Sequence, residues 1–192
     1  MRQTGYDLRI RFFILYGLSD EFTMTFQVGI IGDGDAGEEE YTFCFELGRL
    51  LAELKAVVIT GGKGGVMEAV SRGTFQAGGI TVGILPGLSG REANKFCRVI
   101  IPTGLGHGRN LLTILPADLV IAVGGQAGTL TEMGFAWIYD KPLIAVKNFG
   151  GWAEKMAGIR IDDRRPDSII EVESLDQIRE VIGMIMQAKK KY

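Results

Sequence analysis

Apolar residues fall along this chain in short unbroken runs, and between the runs they return every three or four positions. The runs cover residues 26–31, 56–60, 80–85, 118–123 and 142–146. Hydrophobicity that is continuous rather than alternating predicts strands covered on both faces. Residues 98–101 and 168–172 predict two shorter strands. Cys44, Leu47, Gly48, Leu51 and Leu54 lie at helical spacing, as do Leu130, Met133, Gly134, Trp137 and Ile138, and then Leu175, Ile178, Val181, Ile182 and Ile185. Further helices are predicted over 66–77 and 109–115, and a polar loop over 88–95. Strands alternate with helices almost throughout. That order predicts an α/β fold, a doubly wound, Rossmann-like parallel sheet of about six to seven strands with helices on both faces.

No repeat or linker divides residues 24–192, which read as a single nucleotide- or phosphate-binding domain. Residues 1–23 read as an N-terminal extension or an extra strand. Their apolar run, 12–18, follows Arg9 and Arg11, but Asp20 and Glu21 come next and no small-residue cleavage site follows. Met24 reads as an original start. No run approaches the ~18 apolar residues that span a bilayer.

Composition changes this picture in one respect. Apolar residues make up 46% and charged residues 23% of 192, as in ordinary globular chains, which excludes disorder as the main state. Glycine, with 28 copies, is about twice as common as the usual ~7%. It is clustered, as where backbone turns sharply against a ligand. The net charge of −2 gives no whole-molecule attraction to nucleic acid or to an anionic membrane. The one basic run, Lys189 to Lys191, reads as a solvated helix end. Cys44 and Cys97 form neither a metal-ligand spacing nor a disulfide framework, so a cytoplasmic setting is expected. The single histidine, His107, excludes a histidine-rich metal site, and no metal is expected.

The glycine clusters carry the candidate chemistry. They comprise Gly32, Gly34 and Gly37; Gly61, Gly62, Gly64 and Gly65; and Gly124, Gly125 and Gly128. Each follows a predicted strand and precedes a predicted helix, where backbone N–H groups and the helix dipole receive phosphate. None has the Walker order. Gly32-x-Gly34-x-x-Gly37 matches the dinucleotide pattern in form, but no acidic residue follows the second strand where a ribose hydroxyl would need it. Thr129 joins the third cluster as a phosphate ligand. It also reads as a helix N-cap, with Glu132 completing a capping box. Arg109 follows Gly108 at a helix start, where the dipole disfavours a cation and another reason for it is needed.

Gly61-Gly62-Lys63-Gly64-Gly65-Val66-Met67, together with 124–132, resembles the LONELY GUY superfamily, once labelled lysine decarboxylase-like. Its pattern is P-G-G-x-G-T-x-x-E, preceded by an arginine-lysine pair one helix upstream. Gly128, Thr129, Glu132 and Arg109 match. Gly124 replaces the proline, Gln126 a glycine and Asn110 the lysine. These departures resemble the branch of small proteins similar to molybdenum cofactor carriers and related to the DNA-processing protein A fold. The resemblance covers about residues 24–185 and adds Met67 to the ligand-binding set.

Two functions are implied. The first is binding of a phosphate-bearing nucleotide or pterin, with molybdenum cofactor or a nucleotide as ligand and no cofactor required. The second is hydrolysis of the N-glycosidic bond of nucleoside 5′-monophosphates. There Glu132 would stabilise an oxocarbenium-like state or activate water, and Arg109 would hold the phosphate or support the leaving base. Lysine decarboxylation is rejected, since no lysine has the setting a pyridoxal phosphate enzyme requires. A homodimer or higher homo-oligomer is implied, with the helix around Phe135, Ala136 and Trp137 as the self-complementary patch. His107 reads as a turn residue, Met133 and Trp137 as core, and Asn94 and Lys95 as a solvated loop.

Overall fold

The structure is a computed structural model and describes residues 25–189. The extension or extra strand expected over 1–23, the start at Met24 and the end of the lysine run lie outside the described residues. Among the described residues seven strands alternate with six helices: β1 (Gln27–Gly32), α1 (Glu38–Glu53), β2 (Val57–Thr60), α2 (Val66–Gln76), β3 (Ile80–Leu85), β4 (Val99–Pro102), α3 (Asn110–Ile114), β5 (Leu119–Val123), α4 (Ala127–Ile138), β6 (Leu143–Val146), α5 (Gly151–Met156), β7 (Ile170–Val172) and α6 (Leu175–Lys189). Short 3-10 turns occupy Gly90–Glu92 and Gly106–Arg109.

All pairings are parallel and the strand order is β4-β3-β2-β1-β5-β6-β7. The continuous apolar runs have the expected cause at the centre of the sheet: every residue of β5 and β6 is buried. On one face the sheet packs against Cys44, Leu47 and Leu51 of α1, Val66, Ala69 and Val70 of α2, and Ile178 and Ile182 of α6. On the other it packs against Ile114 of α3, Met133, Ala136 and Trp137 of α4, and Ala153 of α5. Glycine brings α1 and α2 together: a Cβ at Gly48 would run into the Val70 carbonyl, and one at Gly73 into the Phe45 carbonyl.

Three sequence expectations fail, and one helix was not anticipated. The edge strand β4 is not covered on both faces, since Val99, Ile100 and Ile101 are 42–44% exposed. Helix α5 was not anticipated; it has six residues and buries only Ala153, too little for a helical period to register. The capping box also fails. Helix α4 starts at Ala127 with Gln126 as its N-cap, so Thr129 lies inside the first turn and Glu132 is free for another partner. The patch at Phe135, Ala136 and Trp137 is not a docking surface as described, because Ala136 and Trp137 are buried in the chain's own core. Trp137 is further tied down by its indole N–H, which donates to Asp162 at 2.8 Å.

The chain runs outward from β1 through β2 and β3 to β4, then crosses back to lay β5 on the other side of β1. The carboxyl ends of β1 and β5 therefore flank the switch point, where ligands enter open parallel sheets.

Candidate functional site

A cleft of about 380 Å³ opens at that switch point. Gly32, Asp33, Gly34 and Asp35 line it from the loop after β1, Gly61 and Met67 from the β2–α2 connection, and Gln126, Gly128 and Thr129 from the start of α4. His107, Arg109 and Asn110 close one wall, and Glu132 reaches in from the second turn of α4. The first intrahelical bond of α4 runs from the Leu130 N–H to the Gln126 carbonyl, at 3.1 Å. The N–H groups of Ala127, Gly128 and Thr129 are thus outside the helical ladder, at the positive end of the helix dipole.

Arg109 and Glu132 meet here. Arg109 Nη1 donates to Glu132 Oε1 at 3.2 Å and to Thr113 Oγ1 at 3.4 Å. The two side chains are 12% and 8% exposed, so this is a buried pair. The unfavourable placing of Arg109 at a helix start has its reason in this partner. Gly61 makes the room, because a Cβ there would lie 2.5 Å from Arg109 Nη2. Burial raises the Glu132 carboxyl to about 7, and the guanidinium opposes that rise without cancelling it. Glu132 is therefore an acid-base group poised near neutrality. Arg109 Nε is buried with no hydrogen-bond partner among the described residues, which leaves one guanidinium N–H unspent.

The remaining glycines divide by task. Gly32, Gly34, Gly61 and Gly128 line the cleft with Met67 and Thr129; Gly62, Gly64, Gly65, Gly124 and Gly125 do not. Gly62 (φ +71) packs on Gly83, with its N–H bonded to Thr60 Oγ1 at 2.9 Å. Gly65 (φ +61) lets the β2–α2 loop lie on the Asp33–Gly34 backbone, and a Cβ at Gly64 would come within 3.2 Å of the Gly34 carbonyl. Gly124 (φ +56) explains one departure from the superfamily pattern, since proline holds φ near −65° and is excluded there. Asn110 stands where a lysine was expected. It is buried, and its Nδ2 donates to the Gly128 carbonyl at 3.4 Å. A neutral tie between α3 and α4 thus takes the place of a second cation.

Sequence reasoning missed Asp33. Its carbonyl accepts the Val66 N–H at 2.9 Å and its Oδ2 accepts the Gly125 N–H at 2.7 Å. One residue therefore braces all three glycine loops. Its only signal was an acidic side chain set between two glycines at a strand end. Asp35, Gln126 and His107 also line the cleft unannounced. Lys95 is exposed outside it, with its ammonium 5.2 Å from the centre of the Phe96 ring. Asn94 is half-buried, and its amide holds the Lys63 carbonyl at 3.0 Å.

Comparison with known proteins shows the family and the fold. The model of the SLOG cluster4 family matches residues 25–179. An uncharacterised protein of Archaeoglobus fulgidus is 40% identical over 121 residues, which is 63% of this chain and 80% of that protein. The molybdenum cofactor binding protein of Rippkaea orientalis superposes with a TM-score of 0.77 at 31% identity, over 85% of this chain and 99% of its own. The molybdenum cofactor carrier protein of Chlamydomonas reinhardtii does so with a TM-score of 0.72 at 27% identity, over 85% and 99%. The chain belongs to the SLOG cluster4 family, within the superfamily its glycine motifs resemble.

Proposed function

We propose that this member of the SLOG cluster4 family is a cytoplasmic binding protein for a phosphate-bearing nucleotide or pterin. The observation that carries the reading is the cradle at the switch point: the N–H groups at the start of α4, with Arg109 as the one arginine or lysine among the described residues that lines the cleft. Those groups suit a phosphate. Asp33 and Asp35, on the opposite loop, are acceptors for the amino and ring N–H groups of a purine or pterin, or for ribose hydroxyls. The residues present fit molybdenum cofactor in this sense. Its phosphate would sit on the first turn of α4 and Arg109, and its pterin edge against the two aspartates. The similarity to the molybdenum cofactor binding protein of Rippkaea and the molybdenum cofactor carrier protein of Chlamydomonas, with more than a quarter of residues identical, supports the same ligand class. Mass spectrometry of small molecules released from the purified protein tests this. A phosphorylated heterocycle is expected; no such molecule, together with no binding of pterin or nucleoside monophosphates, would overturn it.

One observation favours a second reading, a nucleoside 5′-monophosphate phosphoribohydrolase: Glu132 is buried beside Arg109 and poised near 7. In that case adenosine or isopentenyladenosine monophosphate releases free base, and Glu132→Gln abolishes the release because the charge is gone while the Arg109 contact survives. Release that persists in the variant removes Glu132 from the mechanism.

The assembly is read as a homodimer or higher homo-oligomer, supported by the apolar, half-exposed edge strand β4 and by Leu88, 91% exposed. Light scattering that gives a monomer at high micromolar concentration would remove this reading. The location is read as cytoplasmic from the two free cysteines, Cys44 and Cys97. No helix among the described residues is long and apolar enough to cross a membrane.

A further inference from the structure

We propose that Asp33 and Glu40 form a carboxyl pair that shares one proton and, through Asp33, positions the Gly125 amide, so that occupation of the cradle by an anion is coupled to that proton. The proposal rests on the cleft being the ligand site.

Three observations carry it. Glu40, in the first turn of α1, is 7% exposed and its Oε1 has no hydrogen-bond partner. A buried, orphaned carboxyl oxygen costs free energy unless something fills its need. Second, that oxygen and Asp33 Oδ2 converge on one point: a Cβ added at Gly124 would run into both. Two ionised carboxylates in that position repel, whereas one proton between them removes both the repulsion and the orphan. Third, Asp33 Oδ2 is the atom that accepts the Gly125 N–H at 2.7 Å. The charge on that oxygen therefore sets how firmly the loop before α4 is held.

The surroundings favour a proton over a cation. Among the described residues no third His, Cys, Asp or Glu joins the pair to make a metal-holding cluster. Helix α1 contributes the Gly37 N–H, which opposes protonation, and Cys44 one turn on. The β5–α4 loop contributes the backbone of Gly124 and Gly125. Burial and the Asp33 charge together push Glu40 up to about 7, so the shared proton is exchanged in the physiological range. Glu40, which does not line the cleft, is a positioning residue in this account and acts through Asp33.

Carbon-detected NMR of the labelled chain between pH 5 and 9 tests the pair directly. The Glu40 carboxyl and the Gly125 amide are expected to titrate together near neutrality. The Gly125 step should vanish in Glu40→Gln, which keeps the shape and supplies a permanent N–H donor. Glu38→Gln, an exposed change in the same turn, should leave the step in place and shows that general helix charge is not its source. A Glu40 carboxyl that titrates below pH 5, or a Gly125 step that persists in Glu40→Gln, overturns the proposal. Sulfate, which does not titrate in this range, is the probe for coupling. Its affinity should fall between pH 6 and 8 by about threefold more in the parent than in Glu40→Gln, any fall due to Glu132 being common to both. Equal pH profiles overturn the coupling. If sulfate binds neither protein, the cleft reading fails, and the Gly125 titration still decides whether the pair exists.

Discussion

Glu132 and Glu40 are the two buried glutamates around the loop that joins β5 to α4, and they meet opposite company. Glu132 lines the cleft with the Arg109 guanidinium at 3.2 Å. Glu40 is not among the lining residues and has the Asp33 carboxylate as its charged neighbour. Burial lifts both to about 7. In one case a cation opposes the rise and in the other an anion reinforces it. The lesson concerns division of labour. A buried acid beside a cation can lose its proton and offer charge to a ligand. A buried acid beside another acid meets repulsion when it ionises, and here it acts on the backbone that its neighbour holds.

Removing the cation is the most drastic way to break this contrast. Arg109→Ala leaves the ionised Glu132 buried without a partner, at a cost of about 3–5 kcal/mol at pH 8. At pH 5 Glu132 is protonated and the loss should be much smaller. Urea denaturation at the two pH values measures both, and equal losses would mean that the pair is not electrostatic. The same change should weaken binding of a phosphorylated ligand about ten- to a hundredfold, read by calorimetry.

The next effect is the pH dependence of the parent. Both carboxyls have folded values above their unfolded one near 4.5. The folded state therefore holds more protons between about 4.5 and 7, and stability falls as pH rises through that window. Glu132 alone accounts for at most about 3 kcal/mol of the fall. Glu132→Gln should flatten the curve, so that the variant gains on the parent as pH rises from 5 to 8. A parent curve that climbs over this range would contradict both burial arguments. Glu40→Gln should flatten the curve in the same direction and by a similar amount, since burial and the Asp33 charge lift that carboxyl to the same value.

How much of this was legible in the chain follows from what burial does to sequence. Strands covered on both faces must be apolar without interruption, so β1, β2, β3, β5 and β6 announced themselves within a residue or two. The edge strand β4 wears the same pattern without the same cover, because a run of Val and Ile does not say which faces it will find occupied. The glycine clusters located the cleft, yet five of their members serve loop packing rather than lining. That difference lies in which loop crosses which, and it is set by strand order. Arg109 was legible as a misfit against the helix dipole. Asp33 and Glu40 were not, because an aspartate between glycines reads as a turn and Glu38-Glu39-Glu40 reads as a dipole-matched helix start. Only the crossover that brings β5 beside β1 carries Gly124 and Gly125 to them.

The smallest stability effect offers the sharpest separation of ligand from fold. Gly128 lies within the first turn of α4 with an ordinary helical backbone, and the nearest atom to a Cβ there is Asn110 Nδ2 at 3.9 Å. Gly125, three residues earlier, is at φ +93, and a Cβ there would strike Thr129. Valine at 125 should therefore damage the fold. Valine at 128 meets no clash and replaces the poorest helix former other than proline, so its stability should stay within about 0.5 kcal/mol of the parent. What Gly128→Val does remove is the open approach to the N–H groups at the start of α4. Loss of sulfate or phosphate binding with an unchanged urea midpoint would place the anion on that turn. Retained binding would move it to the neighbouring cluster, Gly61 to Gly65, and leave Arg109 and Glu132 as a structural pair.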